Sequence, residues 1–131
     1  MKLLLLLGRI FYSTIFIVAS LGHFTKPSID YAASQGVFMP ELLVPISGVM
    51  ALLGGLSILF GYKARFGALL IALFLIPVTV MMHNFWVVQD PIMQTIQQIM
   101  FFKNLSMLGG ALIIMYFGAG PMSFDHRHTR S

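Results

Sequence analysis

The 131-residue chain is 58% hydrophobic and only 9% charged, with a formal net charge of +4. An ordinary soluble domain has roughly 45–50% apolar and about 25% charged residues, so this composition excludes a water-soluble globule. Cysteine is absent, which excludes disulfides, thiolate nucleophiles and iron–sulfur ligation by this chain, and the scattered basic residues do not form the stripe typical of nucleic-acid binding.

The N-terminus resembles a secretory signal, because Lys2 is followed by the leucine run 3–7, with Ala19 and Ser20 as a possible cleavage site. Arg9 interrupts the apolar stretch, and cleavage would leave no soluble domain to secrete. We therefore expect the segment to be retained as a membrane helix.

Four apolar stretches approach the length of about 20 residues that a helix needs to cross a bilayer. They cover approximately residues 3–22, 42–61, 66–88 and 99–118. Only residues 61–65 separate the second stretch from the third, so these two helices form an antiparallel hairpin. The sequence predicts an all-α integral membrane protein: one domain over residues 1–131 containing a bundle of four transmembrane helices and a tail, 119–131.

The connections add local detail to this bundle. In the first, Ser28 is a plausible N-cap and Gly36 a plausible stop, which predicts a short interfacial helix in the first outer loop. In the second, Asp90-Pro91 marks a turn, and residues 92–100 start the fourth helix before it enters the membrane.

Basic residues predict the orientation, because lysine and arginine in short loops are retained on the cytoplasmic side. With both termini cytoplasmic, only Lys26 and Lys103 lie in the outer half. The inner side then holds the other six basic residues, Lys2, Arg9, Lys63, Arg65, Arg127 and Arg130.

Small residues predict close helix packing, since they let backbones approach where lipid offers no hydrophobic driving force. Helix two carries Gly48, Ala51, Gly54, Gly55, Ser57 and Gly61, and helix four carries Ser106, Gly109, Gly110 and Ala111.

Polar residues follow single faces of the helices. Spacings of three and four place Arg9, Ser13, Phe16, Ser20 and His23 on one face of helix one, which is predicted to look into the bundle. For Arg9 itself, we expect a positive-inside anchor whose side chain extends to the cytoplasmic surface.

Seven polar or aromatic residues are predicted to lie in or near the outer third of the bilayer and to form one ligand-binding pocket. Imidazole and ammonium groups can donate to carbonyl oxygens and an indole can stack, which suits a quinone-like head group. The set is His83, Lys103, His23, Asn84, Trp86, Asn104 and Glu41.

Simpler roles remain open for these residues. Trp86 could be an aromatic anchor at the membrane interface. Lys103 could extend its side chain to the membrane surface or pair with Glu41, and His83 could form a hydrogen bond between helices. Haem ligation by His23 and His83 is not expected, because two histidines are the minimum and His23 ends a helix. No metal site and no catalytic residue are predicted, and residues 125–128 are interpreted as a solvated tail.

The pattern as a whole resembles the DoxX family of four-helix inner-membrane proteins from bacteria and archaea. The resemblance covers nearly the whole chain and rests on Gly8-Arg9, Gly22-His23-Phe24, Tyr31-Ala32-Ala33-Ser34-Gln35-Gly36-Val37 with Pro40, Leu52-Leu53-Gly54-Gly55, His83-Asn84-Phe85-Trp86, Phe102-Lys103-Asn104-Leu105 with Gly109-Gly110, and Gly120-Pro121 with Ser123-Phe124-Asp125. It implies a bacterial inner (plasma) membrane location and an association with quinone-linked redox systems.

Three functional hypotheses follow. The first is a membrane subunit or accessory protein that binds a quinone and works with a redox partner protein, as at most a non-catalytic or quinone-binding subunit of an oxidoreductase. The second is a non-enzymatic scaffold or assembly partner. The third is a small transporter, which would need a homo-oligomer because four helices scarcely enclose a pathway.

Overall fold

The structure is a computed structural model that describes residues 1–128, so Arg130 of the predicted tail lies outside the described residues. Within residues 1–128 the chain forms six α-helices and one 3-10 turn: α1 Lys2–Gly22, α2 Lys26–Ser34, α3 Pro40–Phe60, α4 Ala64–Met82, the turn Phe85–Val87, α5 Pro91–Phe117 and α6 Phe124–His128.

In the described part of the chain, four segments are long and apolar enough to cross a membrane, namely α1, α3, α4 with its following turn, and α5. A helix of 21 residues, the length of α1 and α3, extends for about 30 Å, which matches the hydrocarbon thickness of a bilayer. The prediction of an all-α membrane bundle with four spanning helices is confirmed.

The predicted end of the third helix at residue 88 is wrong. The third helix ends at Met82 instead of 88, because His83 and Asn84 leave the helical conformation. The fourth helix begins at Pro91, ahead of the apolar stretch 99–118, because Asp90 caps it: its Oδ2 accepts from Met93 N at 3.1 Å. At 27 residues, α5 is about 40 Å long and exceeds the hydrocarbon thickness, in line with the prediction for residues 92–100.

The helices pack in the order α1, α3, α4, α5, each against the next. A hydrogen bond from the Tyr12 hydroxyl to the Met107 carbonyl joins α1 to α5. The buried residues of α1 are the face that its spacing predicts, Arg9, Ser13, Phe16 and Ser20.

Glycines set the closest helix contacts. A Cβ on Gly54 of α3 would lie 2.8 Å from the Gly67 carbonyl oxygen of α4, and one on Gly55 would lie 2.9 Å from the Ile17 side chain of α1. The predicted close packing of α3 is confirmed at these positions. The same prediction is wrong for Gly109 of α5, where a Cβ would meet nothing within 4 Å.

The bundle has two distinct ends. We call the end that holds Met1, the α3–α4 turn and residues 118–128 the terminal end, and the end that holds residues 23–39 and 83–90 the distal end. At the distal end α2 packs on α3. The predicted N-cap of α2, Ser28, is wrong: Thr25 is the N-cap, with Pro27 in the first turn. Gly36 follows the helix at a φ of 83°, as a stop residue does.

Candidate functional site

His83 at the distal end binds a residue that the sequence reading missed. Its Nδ1 lies 2.7 Å from Oε1 of Gln97 on α5, and both side chains are half-buried. With the amide oxygen of Gln97 facing Nδ1, this contact fits the ring tautomer that carries its proton on Nδ1 and leaves Nε2 as an acceptor. In that tautomer the ring has no second N–H to donate, and ligand binding by His83 stays a prediction.

Gln97 could have been found from the spacing of α5. Gln97, Asn104 and Ala111 repeat every seven residues, so they lie on one helical face. Asn104 and Ala111 are buried, and Gln97 is the half-buried member of this series nearest the distal end. Two polar residues on the buried face of a membrane helix indicate hydrogen-bond partners within the bundle.

Three hydrogen bonds order the distal connections. Gln94 Nε2 donates to the Phe85 carbonyl at 3.4 Å, Asp90 caps α5, and the Tyr31 hydroxyl of α2 donates to the Met82 carbonyl at 3.5 Å. Asn84 is half-buried, and its carbonyl accepts from Val87 N within the 3-10 turn. These bonds connect α2, the turn and the start of α5.

Aromatic rings cover the turn from the α5 side. The Phe85 and Trp86 ring centroids are 5.4 Å apart, and Phe101 lies 5.4 Å from Phe85 and 5.9 Å from Trp86, all edge to face. Trp86 is still 52% exposed. About half of its surface therefore stays open beside these ring contacts.

Lys103 and Asn104 do not lie beside His83: Lys103 is on another face of α5, and Asn104 is deeper in the bundle. Lys103 is exposed, and its Nζ is 3.3 Å from Sδ of Met100. It is six residues from Gln97, which places it about 120° around the helix from the His83 contact and about 9 Å along the axis. Asn104 shares the face of Gln97 but lies about 10 Å deeper in the bundle.

His23 and Glu41 belong to the α1–α3 side of the distal end. His23 Nδ1 is 2.9 Å from Ser47 Oγ, and its ring centroid is 5.4 Å from that of Phe74. Burial lowers the pKa of His23, and a hydrogen bond with the Val44 backbone partly opposes this effect. Glu41 is exposed in the first turn of α3, and the described residues contain no ion pair between it and Lys103. Of the seven predicted residues, the structure brings together His83, Asn84 and Trp86.

Arg9 makes a buried contact at the terminal end. Its guanidinium extends to the terminal end beside Gly61, but at 5% exposure it is covered by protein there and does not reach the membrane surface as predicted. Residues 118–128 fold over it, and its Nη2 donates to the Met122 carbonyl at 2.6 Å. Its Nε and Nη1 have no hydrogen-bond partner among residues 1–128.

Asp125 holds this C-terminal segment in place. Its Oδ1 accepts from Lys63 N at 2.7 Å and its Oδ2 from Ala64 N at 2.9 Å, so it caps the start of α4. Its own N–H donates to the Gly61 carbonyl at 2.8 Å. The interpretation of residues 125–128 as a solvated tail is therefore wrong for Asp125, which is half-buried.

Two cavities flank the C-terminal segment at the terminal end. One of about 500 Å³ lies between the start of α1, the end of α3 and α6. The other, of about 860 Å³, lies beside Lys63, Arg65 and the end of α5. Both are at the end of the bundle where the sequence reading placed no ligand.

The sequence matches the SURF4 family model over residues 2–130. It is 29% identical over 120 residues to the inner membrane protein YqjF of Escherichia coli (strain K12), covering 92% of this chain and 88% of the relative. It is 30% identical over 126 residues to the inner membrane protein YphA of the same organism, covering 95% and 89%. A third match, 28% over 79 residues, is to the ER-derived vesicles protein ERV29 of Saccharomyces cerevisiae (strain ATCC 204508 / S288c) and covers 60% of this chain and 25% of the relative. No solved structure matches.

The DoxX resemblance is therefore wrong, because the family model and all three relatives indicate the SURF4 family. Several residues that carried it serve general packing: Gly54 and Gly55 allow close helix contact, and His83 ends α4. Such residues indicate a four-helix membrane bundle without identifying its family. The redox association that this resemblance implied loses its basis.

Proposed function

Since this chain belongs to the SURF4 family, we propose that it is a non-enzymatic membrane protein that holds a partner protein at the membrane surface through the distal end of its bundle. Its spanning helices anchor it in the bilayer. The distal connections supply the binding surface.

The observation that carries this proposal is that hydrogen bonds hold the distal connections, residues 23–39 and 83–90, in a fixed conformation. Side-chain hydrogen bonds from His83, Asp90 and Tyr31 fasten the connections to the helices. Because these polar groups hold the connections in place, the surface of the distal end is already formed before a partner binds. Preformed surfaces bind more tightly because little conformational freedom is lost on association.

The exposed chemistry of the distal end favours a protein partner with basic residues. Three of the four acidic residues of the chain, Asp30, Glu41 and Asp90, lie at or next to the distal end and are exposed, against one basic residue, Lys26. Large apolar side chains are exposed beside them, including Phe38 at 76% and Trp86 at 52%. Aromatic anchors with a charged rim are typical of protein interfaces.

The relatives and the charge distribution support a binding role facing away from the cytoplasm. The names of the three relatives refer to a membrane or to vesicles and not to a reaction. The basic terminal end predicts that both termini are cytoplasmic, so the distal end would face the other side. A bacterial inner membrane is the location that the two bacterial relatives support.

Site-specific photocrosslinking in cells tests this proposal. A crosslinking amino acid at Phe38 should give a discrete protein adduct, and the same group at Leu73, an exposed residue within spanning helix α4, should not. The Phe38 adduct should weaken when Asp30→Asn and Glu41→Gln are combined. Identical adducts at Phe38 and Leu73, or an adduct indifferent to both carboxylates, would contradict the proposal.

A small amphiphile at His83 is the second candidate. The acceptor Nε2 and the exposed Trp86 ring suit a ligand with an aromatic ring and a hydroxyl, such as a quinol, better than the oxidised quinone. A quinone cofactor, a redox partner protein and a homo-oligomer all stay predictions. A quinol should raise the melting temperature of the wild type and of His23→Gln but not of His83→Gln; equal shifts in all three would contradict a site at His83.

A further inference from the structure

We propose that the terminal end carries a binding site for the phosphate headgroup of an anionic phospholipid, in the groove between the start of α1, the end of α3 and α6. This site is separate from the distal surface and does not depend on the function proposed for it. The groove has a volume of about 500 Å³.

The groove combines cationic groups with apolar walls. Lys2 on α1 and Arg127 on α6 both line it and are both exposed. The walls come from Leu6 of α1, from Leu59 and Phe60 of α3, and from Phe124 of α6. A headgroup phosphate can lie between the two cations while an acyl chain follows the apolar walls.

The charge of the groove is one-sided. None of the described residues that line it is acidic. The one acidic residue of the terminal end, Asp125, lines the other cavity, and its two carboxylate oxygens accept from the Lys63 and Ala64 backbone. Behind the groove lies the buried guanidinium of Arg9, which bonds the carbonyl of the lining residue Met122 and has two nitrogens without partners among residues 1–128. The lining of the groove is therefore cationic, and the nearest negative charge is the carboxylate of Asp125, which lines the other cavity and acts on Arg9.

The position of the groove along the membrane normal favours a lipid over a soluble anion as its ligand. Lys2 is the first residue of spanning helix α1, and Phe60 is the last residue of spanning helix α3. The ends of spanning helices lie at the headgroup layer, where Lys and Arg attract anionic lipids. A free phosphate would gain nothing from Leu6, Leu59 or Phe60, which a lipid chain can cover.

Lipid titration followed by native mass spectrometry in an uncharged detergent tests the site. We expect tighter binding of short-chain phosphatidylglycerol than of phosphatidylcholine. The double variant Lys2→Gln, Arg127→Gln should weaken phosphatidylglycerol binding about 25-fold, roughly fivefold for each charge. The matched control Lys63→Gln, Arg65→Gln removes the same charge at the same end but outside the groove, and should retain the wild-type preference.

Three outcomes would overturn the proposal: no preference for phosphatidylglycerol, an equal loss in both double variants, or binding of glycerol phosphate as tight as that of the lipid. The first two would reduce the effect to general surface charge, and the third would assign the groove to a soluble anion. Lys2 and Arg127 are exposed, so both variants should fold, which circular dichroism checks.

Discussion

Replacing Asp125 should release the C-terminal segment and weaken the start of α4. Its carboxylate accepts backbone N–H bonds from Lys63 and Ala64 at 2.7 and 2.9 Å, and no side chain of the α4 N-cap residue takes that role. Loss of a capping side chain typically costs about 0.5–2 kcal/mol, and a hydrogen bond to a charged group contributes about 1.5–3 kcal/mol. Because Asp125 is only half-buried, we expect Asp125→Ala to lower the free energy of unfolding by about 2 kcal/mol.

Two measurements check this expectation. Reversible unfolding in mixed micelles, followed by circular dichroism, gives the loss of stability. Hydrogen exchange at the Lys63 and Ala64 amides should accelerate roughly 30-fold, which is the local equivalent of about 2 kcal/mol. Asp125→Asn keeps one acceptor oxygen and should cost about half as much.

The matched control is Asp30→Ala, which removes an exposed carboxylate that makes no hydrogen bond within residues 1–128. It should change the free energy of unfolding by less than about 0.5 kcal/mol. Equal stabilities for Asp125→Ala and Asp30→Ala, with unchanged exchange at Lys63 and Ala64, would refute the capping role of Asp125.

Two further predictions concern the packing and the pH response. Gly54→Ala should lower the free energy of unfolding by about 1–3 kcal/mol, because the new Cβ would lie 2.8 Å from the Gly67 carbonyl oxygen. Gly109→Ala, where a Cβ meets open space, should leave this free energy unchanged or raise it by up to about 1 kcal/mol. Equal losses for the two variants in micelle unfolding would contradict the packing. Burial lowers the pKa of His23 from its ordinary value of 6.5, so the unfolded chain takes up the proton first and stability falls as the pH drops below about 6.5. His23→Gln should remove this part of the pH dependence of the melting temperature, and an unchanged profile would count against it.

The candidate site illustrates what a pattern of residue types can and cannot predict. The sequence indicated His83 and Trp86 at one end of the bundle, because polar residues within apolar helices are few. It could not show that His83 binds Gln97, since this contact depends on where α4 ends and α5 begins. It also placed Lys103 with His83, whereas the register of α5 turns Lys103 to the exposed side.

The sequence by itself determined the membrane bundle: long apolar stretches with few charges are stable only across a bilayer, and their number and the buried face of α1 follow from length and period. Only the tertiary structure shows which groups the charged side chains contact. Arg9 looked like a surface anchor because nothing local shows that residues 118–128 return over it, and Asp125 looked solvated because its hydrogen-bond donors are 61 and 62 residues away. Contacts between segments so distant along the chain leave no periodic signal, so only the folded arrangement reveals them.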